Sequence, residues 1–482
     1  MLLFPDRQYM RNQWAHACQV IPFMTETTEP VARPARHRKH LNPLEGSLLD
    51  KILLFALPLA LSSLLQQLCN SIDVAVIGKF SSSEALAAVG TNGPVIGLMV
   101  NLFIGISVGA NVVIANYIGQ KNVQGIRNTI STVGVLSLIF GGVLMVAGMI
   151  IARPVLVWLD TPENILDMAV LYLRIFFLGM PFMIFYNFGS AILRSIGDTR
   201  RPLYCLIVSS IVHTVMNLVL VICFDMSVAG VAIAAAISFM TSAAMVLFIL
   251  MREADPYRMH LMHSRIHWPE LSRILRIGVP AGVQGVVFSV ANLFIQAAIN
   301  RFGSDAIAGS ATALNFEIYS YFVVLAFGNA AVTFIGQNYG ARQMDRCRRI
   351  FWLALGLSAS ALGIMGCLFV WQKAFFISFF TSDPAVAAFA GERMELLLML
   401  QFITAAIEIP GAALRGLGRS VLPTVLTVFG TCLLRLLWIY LVCPLYPSFG
   451  ALLIVYPVSW IVTGVLVWGA YLLVSRQLYA EA

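Results

Sequence analysis

The chain has 482 residues, of which 59% are hydrophobic and 11% charged, and its mean hydropathy is +0.84. A soluble domain carries about 25% charged residues, so this composition excludes an ordinary water-soluble enzyme and a disordered scaffold and leaves a polytopic membrane protein. The 31 Lys+Arg outnumber the 23 Asp+Glu for a net charge of +8, an excess that in a membrane chain reports topology before it reports nucleic acid.

Residues 1–40 are polar and hold Asp6, Arg7 and the cluster Arg33, Arg36, Arg38, Lys39 and His40. No apolar run follows the positive residues, so no signal peptide is written there. The composition changes at Met24, which leaves residues 1–23 open between a mis-set start and a disordered extension. A bilayer core takes about 20 apolar residues per helix. Twelve such spans follow, near 52–78, 85–119, 129–152, 164–193, 202–224, 228–251, 271–299, 306–338, 348–372, 385–414, 422–443 and 450–475. The second, fourth, eighth and tenth reach 30 residues or more, so they are expected to tilt or to project past the lipid. The eight cysteines are scattered singly without a CxxC pair and read as packing residues.

Twelve spans put both termini on one side. The tails and the even-numbered loops hold 24 of the 31 Lys+Arg, the opposite loops hold Lys79, Arg153, Arg301, Lys373 and Arg393, and Arg174 and Arg435 fall within spans. That asymmetry predicts cytoplasmic termini and removes nucleic acid as a partner.

The chain also repeats itself. Pro58 and Asn70 recur as Pro280 and Asn292, displaced by 222 residues, and Leu193-Arg194-Ser195-Ile196-Gly197 recurs as Leu414-Arg415-Gly416-Leu417-Gly418. Ile118-Gly119-Gln120 recurs as Ile335-Gly336-Gln337. The expected fold is all-α, with twelve transmembrane helices in two pseudo-symmetric six-helix bundles. Its parts are a tail over 1–50, an N-lobe over 51–251, a cytoplasmic linker over 252–270, a C-lobe over 271–476 and a tail over 477–482. Two like bundles are the layout of a secondary transporter that alternates between inward and outward states. An ATPase is excluded, because Gly78-Lys79 lacks the preceding glycine and is followed by Phe80. A membrane hydrolase lacks its constellation, with His213 the single embedded histidine.

The segments Leu57-Pro58, Asn70, Asp73, Gly78-Lys79-Phe80 and Glu84 to Gly90 resemble the start of multidrug and toxic compound extrusion (MATE) transporters of the bacterial branch. Gly105 to Asn111, Ala191 to Thr199, Gly336-Gln337-Asn338 and Ala413 to Gly416 carry the resemblance through residues 50–475. It implies a two-lobe antiporter that exports organic cations and other amphipathic compounds against an inward flux of H⁺ or Na⁺, with no cofactor. A flippase for lipid-linked saccharides, of the related superfamily, is the alternative.

A charge within hydrocarbon costs roughly 2.5–3.5 kcal/mol on insertion scales, which makes each embedded ionisable residue a functional candidate. Asp73 leads, on the order of 8 Å inside the outer end of span one. Desolvation favours its neutral acid, so it can carry a proton and, when ionised, attract a cation. The competing reading is a helix end capped against Lys79. Resemblance gives Asp73 the cation-coupling role and adds Asn217, while Val221 stands where a further acid often follows. Asn92 is expected at the depth of Asp73, and His213, one turn from Asn217, is either a relay or a packed neutral histidine. Na⁺ near Asp73 stays open as coupling ion, and no other metal is expected. In relatives with a Na⁺-type C-lobe site a seventh-helix Glu stands where this chain has Ser289, which favours H⁺.

The C-lobe is expected to gather Gln284, Asn292, Asn315, Glu317, Glu408 and Arg435, with Glu317 or Glu408 neutralising Arg435. Glu395 and Arg174 are expected at the interfaces. Tyr186, Phe288, Phe316 and Tyr319 are candidates to line a greasy cavity for flat cations. Pro58, Pro94, Pro181 and Pro410 lie in spans, and a bend at Pro58 would move Asp73. A monomer in the cytoplasmic (inner) membrane is expected.

Overall fold

The computed structural model describes residues 41–260 and 264–480. The basic cluster before Leu41 and the question of residues 1–23 lie outside the described residues, as do 261–263 of the linker and the last two residues. Among the described residues there is no strand, and twelve helices are long and apolar enough to cross a membrane. They are α1 Leu49–Phe80, α2 Ser83–Gly119, α3 Val123–Trp158, α4 Glu163–Ser195, α5 Arg200–Cys223, α6 Ser227–Met251, α7 Trp268–Phe302, α8 Ser304–Gly340, α9 Met344–Trp371, α10 Pro384–Gly416, α11 Val421–Val442 and α12 Phe449–Leu478.

Each expected span coincides with one helix, but α1, α3 and α7 are also long, at 32, 36 and 35 residues. α1 and α7 begin in polar turns without a side-chain cap, whereas α3 is capped. Asn122 accepts from the Gly125 amide at 2.9 Å and starts α3 in a polar turn ahead of its apolar run. Ser82, Asp383 and Ser448 cap α2, α10 and α12 in the same way. The repeated Leu-Arg-x-x-Gly segments have a structural meaning as well. Gly197 and Gly418 both take a left-handed φ, +92° and +79°. In each turn the glycine amide and the next one bond back to the last helical carbonyls, closing α4 and α10 identically.

Large apolar side chains such as Leu138, Ile150, Ile364 and Val465 are exposed, which on this composition marks the lipid-facing surface. Trp158, Trp268 and Trp371 are 80%, 73% and 79% exposed and stand at the ends of α3, α7 and α9, as in an interfacial aromatic belt.

α1–α6 and α7–α12 form the two lobes, which meet at the end carrying most of the basic loops. There α2 and α7 touch backbone to backbone: a Cβ on Gly105 would overlap Gly282, and one on Gly109 would overlap Ile274 and Gly278. Asn111 donates to Thr333 of α8 at 2.9 Å, and Gln337 of α8 donates to the Ser195 carbonyl at 2.6 Å. The strap ahead of α1 joins this closure, its Pro43 carbonyl accepting from Arg346 at 2.8 Å and from Asn338 at 3.3 Å. Past Asn101, which donates to Ser289 at 3.0 Å, α2 leaves α7, and Gly90, Gly93 and Gly97 look into open space. A cleft therefore opens between the lobes towards the end opposite the basic loops.

Candidate functional site

Two polar stripes face this cleft. On α1, Ser62, Gln66 and Asn70 recur every four residues and are half-buried or exposed; on α7 their repeat-mates Gln284, Phe288 and Asn292 do the same. Exposed amides on membrane helices have to meet water rather than lipid. The stripes are thus the walls of an aqueous cleft.

One turn beyond Asn70, Asp73 turns towards α5 and is 7% exposed. His213 Nε2 lies 2.7 Å from its Oδ1, and Asn217 Nδ2 donates to the same oxygen at 2.5 Å. An ionised carboxylate has no hydrogen to give, so a neutral imidazole must present Nε2–H to it and keep the lone pair on Nδ1. The helix changes just after Asn217 into a π turn, Val219–Cys223, a distortion frequent at functional sites. The buried Tyr172 of α4 and Cys69, one turn before Asp73, are within electrostatic reach of the carboxylate. Lys79 does not cap Asp73; it lies over the Phe80 ring instead. Asn92 is fully buried but does not bond Asp73, because its amide is held by the carbonyls of Ala88 and Ala169 at 2.8 and 3.1 Å.

The expected single C-lobe cluster separates into three bonded groups, and neither acid bonds Arg435 directly. Glu408 binds Arg415 at 2.6 Å, with Gln284 accepting from Arg415 at 3.3 Å and from Thr424 at 3.4 Å. Glu317 binds Arg393 through both oxygens, at 2.6 and 3.1 Å. Arg393, counted with the outer loops from the sequence, is 2% exposed inside α10. Arg435 is 1% exposed. It donates to Asn292 Oδ1 at 2.9 Å and to Ser459 Oγ at 3.3 Å, and lies 4.5 Å from the Tyr456 ring and 5.2 Å from that of Phe288. Asn315 takes no part and bonds the Ala311 carbonyl of its own helix.

Of the cavity candidates, Phe288 alone adjoins the cleft stripe. Tyr186 is buried within the N-lobe, its hydroxyl donating to the Pro202 carbonyl at 3.3 Å. Phe316 sits in an aromatic cluster with Tyr319, Phe369, Phe376 and Phe380, so bulk and aromaticity alone picked out core residues. Sequence reasoning missed Arg393, Arg415, Tyr456 and Ser459. Arg393 was legible, since it falls within the apolar span 385–414. Glu395 and Arg174 are exposed, as expected of interfacial residues, and Glu395 pairs with Lys373.

A model of the MatE family matches residues 58–219 and again 280–441, two stretches displaced by the same 222 residues as Pro58 and Pro280. The chain is 26% identical over 383 residues to the probable multidrug resistance protein YoeA of Bacillus subtilis, covering 78% of this chain and 83% of that one. It is 26% identical over 396 residues to the probable multidrug resistance protein NorM of Thermotoga maritima, covering 80% and 84%. A solved MOP superfamily transporter from Pyrococcus furiosus superposes with a TM-score of 0.85 at 21% identity over 92% of this chain and 99% of that one, a likeness of fold.

Proposed function

Because the chain belongs to the MATE family of membrane transporters, whose model it matches in both halves, we propose that it is an H⁺-coupled antiporter of the cytoplasmic membrane that exports organic cations and amphipathic compounds. The basic, closed end faces the cytoplasm in this reading, and the lobes rock to expose the cleft on either side in turn. The names of the relatives as multidrug resistance proteins support the substrate class.

The observation that carries the coupling is the buried contact of Asp73 with His213 and Asn217 at the cleft wall. With His213 neutral and Asp73 ionised, the site is anionic and holds a cation. A proton entering from outside joins the Nδ1 lone pair or the carboxylate, cancels that charge and releases the substrate. Release of the proton on the cytoplasmic side restores the site. H⁺ is favoured over Na⁺ because the base beside Asp73 is a histidine and the position four after Asn217 is Val221, which is buried and apolar.

Ethidium efflux from proteoliposomes under an imposed ΔpH or ΔNa⁺ tests this. The expected result is efflux driven by ΔpH, with Asp73→Asn slower by roughly tenfold or more and ethidium binding that strengthens as pH rises. Wild-type proton exchange by Asp73→Asn would overturn the mechanism. Movement of labelled lipid without gradient-driven dye efflux would establish the flippase alternative.

A further inference from the structure

His213 and Arg435 are separated by 222 residues, the displacement of the two family matches, so they occupy equivalent places on α5 and α11. Each reaches across to the first helix of its own lobe, His213 to Asp73 and Arg435 to Asn292, the repeat-mate of Asn70. The N-lobe therefore has an acid with a titratable base, and the C-lobe has a fixed cation facing a neutral amide.

The acids of the C-lobe nearest in depth are committed elsewhere, the buried Glu317 to Arg393 through both oxygens and the half-buried Glu408 to Arg415. No carboxylate pairs with Arg435 among the described residues. A guanidinium taken out of water is normally matched by an anion. Its direct partners are an amide oxygen, a hydroxyl and two aromatic faces, and the Glu317–Arg393 pair, closed on itself, lies across the shared Tyr456 ring; none of these gives the guanidinium a carboxylate of its own. The two that separate it from the cleft, Phe288 and Asn292, belong to the α7 stripe, and Asn292 is itself exposed.

The geometry points to Arg435 as a recognition site for an anionic group, a carboxylate or its equivalent, carried on a flat aromatic substrate of the cleft. It deepens the transporter reading, since it takes the cleft to be the substrate path. The carboxylate displaces the Asn292 amide oxygen from the guanidinium and replaces a neutral acceptor by a charged one, which strengthens the bond. The ring system of the substrate packs against Phe288. With Asp73 in the opposite lobe, the cleft then suits a zwitterion better than a plain cation.

The test uses the purified full-length transporter in proteoliposomes and two probes, a rhodamine with its carboxylate free and the methyl ester of the same dye. Equilibrium binding without a gradient is expected to fall roughly tenfold for the free acid in Arg435→Met, with the ester unchanged. Arg435→Lys, keeping the charge but not the fork, should give an intermediate loss. An equal change for acid and ester, or none, would overturn the assignment. Should Arg435→Met fail to fold, Asn292→Ala on the exposed wall decides. It removes the competing acceptor and should tighten the free acid over the ester, and an unchanged ratio refutes the site. If Asp73→Asn exchanges both dyes for protons at the wild-type rate while the acid-to-ester ratio collapses in Arg435→Met, the coupling reading fails and the anion site stands.

Discussion

Glu317 and Arg393 meet with side chains 11% and 2% exposed, and the Tyr456 ring lies 5.5 Å from the guanidinium. Removing either partner strands a charge in low dielectric, a loss of about 3–5 kcal/mol. Arg393→Ala is therefore expected to lower the melting temperature in detergent. The double substitution with Glu317→Ala should recover part of the loss, and strict additivity in that cycle would show the pair to be uncoupled. Such pairings were the least legible feature of the sequence. The helical repeat tells which face a residue occupies, but who meets whom depends on the vertical offset between helices, which hydropathy does not encode. Glu317 and Arg435 were both visible as embedded charges, yet offset sends Glu317 to Arg393. Asp73, His213 and Asn217 were legible because His213 and Asn217 share one face of one helix and the remaining acid stands on α1.

At the scale of elements, the crossing of α2 and α7 is set by residues without side chains. Gly105 and Gly109 let the backbones approach until a Cβ at either place would overlap the partner helix. Gly105→Leu is expected to hold the lobes apart at the basic end and to abolish the proposed efflux. Single cysteines placed on the facing walls near Asn111 and Thr333 should then become reactive to a thiol reagent added from the side of the basic end. If they stay protected, the crossing is not the seal. The seal was only half legible. The glycines were visible in the resemblance, but their meaning lies in a partner helix well over a hundred residues away. The helix boundaries, by contrast, followed from hydropathy plus the cap residues, and the spans that came out too short had polar first turns that hydropathy alone cannot claim.

For the molecule as a whole, the two-fold repeat was readable from recurring turn motifs because identical turns require identical backbone geometry, as Gly197 and Gly418 show. Chemistry was free to diverge where geometry was not, so a histidine and an arginine stand at one repeat position. The closure of the basic end also draws on the strap over Pro43 and Gly46, whose carbonyls accept from Arg346. Arg346→Ala should favour an arrangement open at the basic end, read as faster thiol labelling from that side with the proposed transport retained. Unchanged labelling would reduce the strap to a passive segment.

The open glycines of α2, Gly90, Gly93 and Gly97, bear on the energy of that exchange. The glycines of this one helix are covered in its Gly105–Gly109 half and uncovered in the other. In the proposed rocking of the lobes the contact shifts from one set of glycines towards the other, rather than breaking one interface and building an unrelated one. In that proposed cycle area lost at one end is regained at the other, which keeps the two states near in free energy however tightly each is packed and lets the proposed protonation of Asp73 tip them.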